Sequence, residues 1–443
     1  MVRRSGLAFG IWLAVAGAAF AQGLTQGAPD SVGLAPDRLA RITTTMQGLV
    51  EDGRLAGTVT LVARNGKVVY HEAAGRRDVE RNVPMTTDTL FRIASMSKAV
   101  TSVAVMVLVE EGRVHLDDPV SKFIPAFARS TVVVPPPAGT SAAAVATSAG
   151  TAPAARPITI RHLLTHTAGI SYGGGNPFES DYKAAGVIGW YFADKAEPIA
   201  ASIDRLAKLP MDTQPGERYV YGFNTDVLGV VVEKVSGQSL AEFFQTRILT
   251  PLKMTSTSFY VDPAQADRLA TVYSMRTAGG TLERAPEPGT GQGDYVNGPR
   301  VSYSGGAGLV STTSDYARFL QMLLNGGTLD GVRILSPKTV ELMTSNHVGS
   351  LYANGNLGFG LGFEVTEHVG RSGRPGSVGE YGWGGAYHTK YWVDPVEKLV
   401  VVFMTQLLPA SGSTAQTTLR QLVYASIVDV PTATVKTALR PAS

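Results

Sequence analysis

Three short stretches of the chain carry residues whose type and spacing could support covalent or metal chemistry. Residues 169–173, "GISYG", match G-x-S-x-G, the pattern of the nucleophile elbow in many serine esterases. His162 and His166 have the i, i+4 spacing that places two zinc ligands on one helix face. Residues 95–98, "SMSK", form an S-x-x-K motif, which places a lysine one helical turn from a serine. Each motif predicts a different catalytic centre, so the surrounding sequence has to decide between them.

The first match, with Ser171 as nucleophile, lacks the elements that an elbow requires. A nucleophile elbow is a sharp turn between a buried strand and a helix, and it exposes the serine at its tip. Here a helix-like segment, "ITIRHLLTHTAGI" (158–170), precedes the serine and is expected to end at Gly169, and a glycine-rich loop follows. A chance match is expected in a chain with 49 glycines. We therefore interpret Ser171 as a loop residue beyond the end of a helix.

The histidine pair lacks the other residues of a zinc site. In "HLLTH" Leu163 occupies the position at which H-E-x-x-H places its general-base glutamate, and no obvious third ligand follows. The sequence contains no cysteine, which excludes thiolate ligands, thiolate nucleophiles and disulfides. We expect His162 and His166 to cap a helix or to form hydrogen bonds, and we predict no metal and no other cofactor.

The S-x-x-K motif stands at the start of a strongly apolar segment. This segment, "SMSKAVTSVAVMVLVEE" (95–111), predicts a buried helix closed by Gly112. A lysine with the ordinary pKa of about 10.4 is a poor base at neutral pH. Burial and nearby positive charge favour the neutral amine, which can then accept the serine proton. A four-residue pattern is weak on its own, since a serine at a helix start beside a surface lysine gives the same letters.

The composition and the N-terminal residues predict an exported globular protein. The 443 residues include 44% hydrophobic and 17% charged residues, enough apolar sequence for a substantial core. Residues 1–21 combine two arginines, an apolar run and a small-x-small site before Gln22, the layout of a cleaved signal peptide. The net charge is +3, and the sequence contains no long run of basic residues, which argues against nucleic-acid binding. We expect a periplasmic or secreted protein with no stable membrane span after signal cleavage, and the sequence leaves its oligomeric state open.

The predicted elements place strands at both ends of the chain and helices between them. Residues 57–71 predict a β-hairpin around an Asn-Gly turn, and residues 387–406 predict two strands around an Asp-Pro turn. Further helices are predicted for 239–249, 314–327 and 417–430. Residues 131–157 are rich in Pro, Ala, Gly, Ser and Thr and predict a surface excursion. This order favours an α+β fold, in which a sheet assembled from the two termini encloses a helical insertion.

Five segments, in order along the chain, resemble one protein superfamily. They are "TLFRIASMSKAVTSVAVMVLVEEGRVHLDDPVSKFIPAF" (89–127), "ITIRHLLTHTAGI" (158–170), "PGERYVYGFNTDVLGVVVEKVSG" (215–237), "GGAGLVSTTSDYARFLQMLLNGG" (305–327) and "YGWGGAYHTKYWVDP" (381–395). They resemble the serine β-lactamase and penicillin-binding-protein superfamily, most closely the family VIII carboxylesterases and class C β-lactamases. The resemblance implies a β-lactamase-like fold, with an antiparallel sheet flanked by helices (about 22–94 and 300–443), a mainly helical domain (about 95–299) and the active site between them.

The resemblance also implies roles for individual residues. Ser95 is implied to be the acylated nucleophile, and Lys98 its proton acceptor. Tyr221 matches the superfamily's tyrosine, a second general base, and Tyr219 is the competing candidate. The backbone amides of Ser95 and Ala386 are implied to form the oxyanion hole, which stabilises the tetrahedral intermediate.

The implied substrate-binding positions depart from the β-lactamase pattern. The K-T-G strand of the superfamily corresponds to Trp383, Gly384 and Gly385, so a tryptophan replaces the lysine that binds a substrate carboxylate. Phe223 replaces the asparagine of Y-x-N, and Asn224 follows one residue late. Both losses argue against efficient β-lactam turnover. His388, beyond the oxyanion-hole position, either adds a titratable group to the rim of the site or is a surface strand residue.

These departures predict a carboxylesterase that cleaves small, short-chain esters. Ser95 would attack the ester carbonyl with help from Lys98 and Tyr221, and water would then hydrolyse the acyl-enzyme. The expected partner is a small-molecule ester. One alternative is a β-lactamase or a D-alanyl-D-alanine carboxypeptidase or amidase on the same fold. Another is a non-catalytic penicillin-recognising protein, although a mere binder has no need of all three reactive residues.

Overall fold

The main sheet is built from both ends of the described chain, which in this computed structural model comprises residues 24–134, 149–287 and 289–429. Its strands, numbered along the chain, are β1 Thr25–Gln26, β2 Gly57–Arg64, β3 Lys67–Asp78, β4 Val83–Pro84, β5 Gly358–Phe359, β6 Glu364–Val365, β7 Tyr381–Gly385, β8 Thr389–Asp394 and β9 Leu399–Thr405. Across the sheet their order is β1-β3-β2-β9-β8-β7-β6-β5, and β4 pairs with β3. The pairs are antiparallel except that the two-residue edge strand β1 runs parallel to β3.

The hairpin and the central pairing follow from local sequence. Asn65 and Gly66 connect β2 to β3 with φ angles of 54° and 75°, the left-handed geometry that an Asn-Gly turn favours. Strand β9 pairs with β2 along its whole length, from Leu399 opposite Arg64 to Thr405 opposite Thr58. The sequence "LVVVFMT" of β9 is apolar almost throughout, because both faces of this strand are covered.

Helices cover both faces of the sheet. The helices of eleven or more residues in the described ranges are α1 Arg41–Glu51, α2 Ser97–Glu110, α3 Asn224–Ser236, α4 Thr313–Leu324 and α5 Ala415–Ala425. On one face, Ile42 of α1 and Leu419 of α5 pack in one cluster with Trp392 of β8 and Val401 of β9. On the other face, Val402 of β9 belongs to the large core that also contains α2, α3 and α4.

The helical part surrounds α2, which is buried on nearly every side. Every residue of α2 from Ser97 to Leu108 is buried, as its almost continuous apolar sequence predicts.

Shorter helices and helical turns occur in both the helical part and the sheet part. They are Pro29–Val32, Pro36–Leu39, Ala94–Met96, Val120–Lys122, Pro125–Arg129, Ile160–Leu164, Glu179–Ala184, Ile199–Leu206, Leu240–Phe244, Gln245–Leu249, Pro263–Arg268, Pro337–Met343, Ala353–Gly355 and Val369–Ser372. Within the described residues, no helix combines the length and the apolar character needed to cross a bilayer.

Short strands outside the main sheet tie loops together. They pair Phe91–Arg92 with Val310–Ser311, Thr131–Val134 with Gly150–Pro153, Thr328–Leu329 with Val332–Arg333, and Tyr273–Met275 with both Glu283–Arg284 and Leu407–Ala410. The first pair matters most for the site, because it fixes the backbone just before Ser95.

One expectation about a boundary needs correction, and two others concern stretches that lie partly or wholly outside the described residues. The helix expected to end at Gly169 ends at Leu164, because His166 has a φ of 54° and leaves the helical path. The low-complexity excursion of 131–157 begins and ends as a β-hairpin, and its residues 135–148 lie outside the described ranges. The predicted signal peptide, residues 1–21, also lies outside them, so cleavage and export stay predictions.

Candidate active site

Ser95 lies on a strained turn at the start of α2. The residue before it, Ala94, is fully buried and has a φ of 41°, a left-handed conformation that costs free energy in a residue with a Cβ atom. Ser95 itself is partly exposed, whereas Met96 is buried and its carbonyl accepts a hydrogen bond from the Tyr316 hydroxyl at 2.8 Å. The strained, exposed serine that a nucleophile elbow provides is therefore present here, at a helix start, without the G-x-S-x-G letters.

The Lys98 ammonium is buried behind Ser95 and bound by three oxygen atoms. Nζ donates to Ser95 Oγ at 3.2 Å, to Tyr172 Oη at 3.0 Å and to the Gly306 carbonyl at 2.8 Å. The Gly306 carbonyl can only accept, and the phenol of Tyr172 accepts the second N–H. In the neutral amine these two bonds leave the lone pair directed at the Ser95 hydroxyl. The arrangement therefore suits transfer of the serine proton to Lys98.

Tyr172 is a site residue that the motif analysis missed. It is the residue after Ser171 in "GISYG", and its hydroxyl accepts from Lys98 across 74 positions of sequence. Burial raises the pKa of Tyr172 well above 10, and the nearby Tyr221 and Asp226 raise it further. Tyr172 is therefore a neutral phenol over the working pH range. No local spacing rule connects this loop to the S-x-x-K helix, so only the three-dimensional structure reveals the contact.

Tyr221, the predicted second base, lies beside Lys98 with its ring towards the ammonium. Lys98 Nζ is 4.7 Å from the centre of the Tyr221 ring, within the range of a cation–π contact. The Tyr221 hydroxyl accepts a hydrogen bond from Trp383 Nε1 at 3.2 Å. The indole therefore orients the phenol, and the phenol ring in turn contacts the lysine. Tyr219, the competing candidate, has a buried hydroxyl with no hydrogen-bond partner among the described residues.

Close backbone contact brings the segment of Tyr172 and the segment of Tyr221 together. A Cβ atom on Gly222 would lie 2.4 Å from the Ile170 carbonyl oxygen, a distance that no side chain tolerates. Asn224, buried at the start of α3, ties the same segments: its Nδ2 donates to the Ile170 carbonyl at 3.1 Å and to His166 Nδ1 at 3.0 Å. Burial and the Lys98 charge hold the pKa of His166 well below 6.5, so this imidazole stays neutral. Asn224, which follows the asparagine position of Y-x-N by one residue, therefore forms structural hydrogen bonds with His166 and the Ile170 carbonyl.

The Trp-Gly-Gly strand borders the nucleophile on the other side. A Cβ atom on Gly385 would lie 2.3 Å from the Ile93 carbonyl oxygen, so the end of β7 lies against the backbone that leads into Ser95. Ala386 packs against the small apolar cluster that contains Ala94. This proximity is what the implied oxyanion hole of the Ser95 and Ala386 amides requires. Gly384 is partly exposed on the same strand.

An aromatic wall lines the site next to Trp383. The ring centres of Phe359 and Tyr221 lie 5.4 and 5.5 Å from that of Trp383, and Tyr352 lies at 6.3 Å. Trp383, Tyr221 and Tyr352 are all partly exposed. The wall presents apolar ring surface where the resemblance places the carboxylate-binding lysine of K-T-G.

The structure corrects two of the implied substrate contacts. Phe223 is fully buried, and its ring packs 5.0 Å from that of Tyr172, so it supports this tyrosine from behind rather than offering surface to a substrate. His388 has its Nε2 2.9 Å from Ser413 Oγ and its ring against Phe403, in the direction of α5. Burial lowers the pKa of His388 to about 4, so it stays neutral at physiological pH.

The motifs that the sequence analysis set aside have structural partners. Ser171 Oγ donates to Asp212 Oδ1 at 2.9 Å and accepts from the Gly173 amide. His162 accepts from the Thr159 amide in a capping box at the start of its short helix. Within the described residues, no cluster of three histidine or carboxylate side chains has the arrangement of a metal site.

Comparison with known proteins supports the fold over most of the chain. Residues 42–425 match the family model described as Beta-lactamase. The chain is 36% identical to Protein Rv1367c of Mycobacterium tuberculosis over 374 residues, which cover 81% of this chain and 87% of that protein. It is 30% identical to Esterase EstB of Burkholderia gladioli over 408 residues, 87% of this chain and 95% of that protein. The solved structure of EstCE1, a hydrolase with promiscuous acyltransferase activity, matches with a TM-score of 0.73 and 30% identity over 88% of this chain and 99% of that one. These likenesses confirm the predicted fold.

Replacement of Tyr172 by phenylalanine tests the hydrogen bond to Lys98. The variant keeps the ring that packs on Phe223 but removes one of the three acceptors of the Lys98 amine. A hydrogen bond to a charged group contributes about 1.5–3 kcal/mol, so we expect kcat/KM for an ester to fall by roughly 10- to 100-fold. Tyr219→Phe is the matched control, because the hydroxyl it removes has no hydrogen bond, and its kcat/KM should stay close to wild type. Equal effects of the two substitutions would contradict the role of Tyr172.

Replacement of Gly222 by alanine tests the close approach of the two tyrosine segments. Because the added methyl group meets backbone atoms of residues 170 and 171, we expect a loss of about 1–3 kcal/mol in the free energy of unfolding together with reduced kcat. Gly48→Ala, in α1, adds the same methyl group to open space and should leave kcat unchanged while stabilising the helix by up to about 1 kcal/mol. Thermal unfolding and steady-state kinetics of both variants measure these effects. A Gly222→Ala variant with wild-type stability would refute the packing argument.

Proposed function

The chain belongs to the Beta-lactamase family, and from this premise we propose that it is a serine carboxylesterase that acts on small esters with apolar groups. The observation that carries the proposal is the Lys98 amine, held by two fixed acceptors with its third direction towards Ser95 Oγ. The similarity to proteins named esterase and hydrolase agrees with this choice.

Acylation begins with removal of the Ser95 proton. The neutral Lys98 amine accepts it while Oγ bonds to the ester carbonyl carbon, and the carbonyl oxygen becomes an anion facing the Ser95 and Ala386 amides. The proton then passes from Lys98, with the Tyr221 side chain beside it, to the departing alkoxide, which leaves as the alcohol. The acyl group remains on Oγ, and Lys98 is neutral again.

Deacylation repeats the proton transfers with water as the nucleophile. Water gives a proton to Lys98, which lies beside Tyr221, while the water oxygen attacks the acyl carbon. The bond between the acyl carbon and Ser95 Oγ then breaks, and the carboxylic acid leaves. Ser95 regains its proton from Lys98, so the cycle closes without any other group. Tyr172 stays protonated throughout, because its pKa is held well above 10, and it orients the amine.

The aromatic wall supports esters over penicillins and D-alanyl peptides. A substrate carboxylate would need a cation at the position of Trp383, whereas the indole offers an apolar face and uses its N–H on Tyr221. An uncharged acyl or alkoxy group buries apolar surface against the partly exposed rings of Trp383 and Tyr352 instead, and the buried Phe359 supports Trp383 from behind.

Acyl transfer to an alcohol is a second candidate for the same site. EstCE1 is described as a hydrolase with promiscuous acyltransferase activity, and the partly exposed rings around Trp383 would bind an apolar alcohol beside the acyl-enzyme. The alcohol oxygen would attack the acyl carbon in place of water and give its proton to Lys98. The bond between Ser95 Oγ and the acyl carbon would then break, the new ester would leave, and Oγ would take the proton back from Lys98.

The nucleophile is tested by two serine-to-alanine variants. We expect Ser95→Ala to lower turnover of short p-nitrophenyl esters by about a thousandfold or more, because no acyl-enzyme can form. Ser171→Ala removes a hydroxyl that binds Asp212 and should leave kcat within a few fold of wild type. Loss of activity in Ser171→Ala with activity retained in Ser95→Ala would overturn the assignment.

Substrate class is tested by a panel assayed on the wild-type enzyme. The panel contains p-nitrophenyl esters of increasing chain length, nitrocefin and a D-alanyl-D-alanine peptide, with and without a primary alcohol. We expect kcat/KM for the best ester to exceed that for nitrocefin and for the peptide by at least about a hundredfold, the size of about 2.7 kcal/mol. A higher value for nitrocefin or the peptide would instead identify a β-lactamase or a carboxypeptidase, and a new ester formed from the alcohol would identify acyl transfer.

A further inference from the structure

A buried carboxylate is joined to Lys98 through a single residue, Gly306. Asp226, in the first turn of α3, is 1% exposed. Its Oδ1 accepts from the Ser304 hydroxyl at 2.5 Å and from the Gly306 amide at 3.0 Å. The carbonyl of this same Gly306 accepts from Lys98 Nζ at 2.8 Å. One residue therefore joins the carboxylate and the ammonium, with its N–H bound to one and its C=O bound to the other.

The second oxygen of Asp226 is buried without a hydrogen bond. Oδ2 has no donor among the described residues. A Cβ atom on Gly306 would lie 2.4 Å from this oxygen, so only a glycine lets the carboxylate approach the backbone so closely. A buried carboxylate with one oxygen unpaired is costly to desolvate. It persists in a stable fold when a nearby positive charge compensates it, and Lys98 is the cation that faces it.

We propose that Asp226 is the counter-charge of Lys98 and sets the pH range in which this lysine is neutral and active as the base. It is a positioning residue, since it touches neither substrate nor the reacting atoms. The inference rests on the proposed function only in that Lys98 takes the Ser95 proton.

The charges around the pair favour this assignment. The titratable groups that face Lys98 are Asp226 on α3, Tyr172 and His166 on the segment before it, and Tyr221. The pKa values of Tyr172 and His166 keep the first a neutral phenol and the second a neutral imidazole. Asp226 is the one carboxylic acid among these four groups, so its ionised form supplies the negative charge. Burial raises its pKa, and Lys98, Ser304 and the Gly306 amide oppose that rise.

The coupling has a definite sign. An ionised Asp226 stabilises the Lys98 ammonium, which cannot accept the Ser95 proton, so activity is lost as pH falls and the ammonium forms. Without the negative charge the ammonium is less stable, and the neutral amine persists to lower pH. The acidic limb of the activity profile must then move to lower pH.

Asp226→Asn isolates this charge. The asparagine side chain keeps one oxygen, which can still accept from the Ser304 hydroxyl and the Gly306 backbone amide. Its NH2 group replaces Oδ2, the oxygen that accepts no hydrogen bond from the described residues, so the substitution breaks no hydrogen bond at that position. Asp315→Asn is the matched control, since Asp315 is also buried in a helix start and accepts from the Ser256 amide and the Thr257 hydroxyl, neither of which belongs to the site. Ser304→Ala, which removes one donor to Asp226, provides a milder change if Asp226→Asn does not fold.

The readout is the rate of Ser95 labelling by a fluorophosphonate as a function of pH. Labelling forms an Oγ–P bond, releases fluoride and transfers the serine proton to Lys98, so it reports the base without an ester substrate. We expect Asp226→Asn to move the acidic limb down by about one pH unit, a roughly tenfold gain in relative rate below the wild-type limb. Ser304→Ala should move it in the same direction by less, and Asp315→Asn should leave it in place.

The opposite outcomes separate the two proposals. An unmoved limb in a folded Asp226→Asn variant, or an equal shift in Asp315→Asn, would show that Asp226 is only structural. Where Asp226→Asn fails to fold, an unmoved limb in Ser304→Ala would overturn the inference in the same way. Labelling of Ser95 without turnover of any ester would contradict the carboxylesterase proposal while leaving the Asp226 test intact.

Discussion

The burial of one ammonium group imposes most of the constraints on this active site. Lys98 is 2% exposed, and removing a charge of this size from water costs several kcal/mol unless the protein replaces the lost hydration. The replacement comes from four separate parts of the chain: the hydroxyl of Ser95, the phenol of Tyr172, the ring of Tyr221 and the Gly306 carbonyl. A fold that satisfies Lys98 therefore has to bring these segments together, and the same arrangement directs the amine at Ser95 Oγ.

Glycines make the required approach of backbones possible. Gly222 lets the Tyr221 segment lie on the Ile170 carbonyl, and Gly385 lets the end of β7 lie on the Ile93 carbonyl. Gly306 lets a carboxylate approach from the far side of the lysine. In each case a methyl group would overlap atoms that form the site. These glycines therefore act by permitting close contact, and replacing them changes the geometry of the reaction as well as the stability of the fold.

How much the sequence predicts depends on how local the determinant is. Ser95 and Lys98 are one helical turn apart in an apolar helix, and the Asn-Gly hairpin needs only its two turn residues, so spacing and pattern suffice for both. Tyr221 and Trp383 require the resemblance to a family, because nothing local distinguishes them from other aromatic residues. Tyr172 and Asp226 require the structure. The contact of Tyr172 with Lys98, and the link from Asp226 to Lys98 through Gly306, depend on how distant segments pack. The loop of Tyr172 also resembles a different motif, whose serine binds Asp212 instead.

The same distinction explains why Phe223 and Asn224 differ from their expected roles. The Y-x-N pattern predicts a polar side chain next to the lysine, yet here the position holds a buried phenylalanine that supports Tyr172. The asparagine, one residue along a helix, points to the Ile170 carbonyl and His166. A carboxylate two residues further on, Asp226, bonds to the Gly306 amide behind the lysine. Asn224 and Asp226 thus bind backbone groups inside the fold, and the rings of Tyr221 and Trp383 leave an apolar surface where a charged substrate group would otherwise bind.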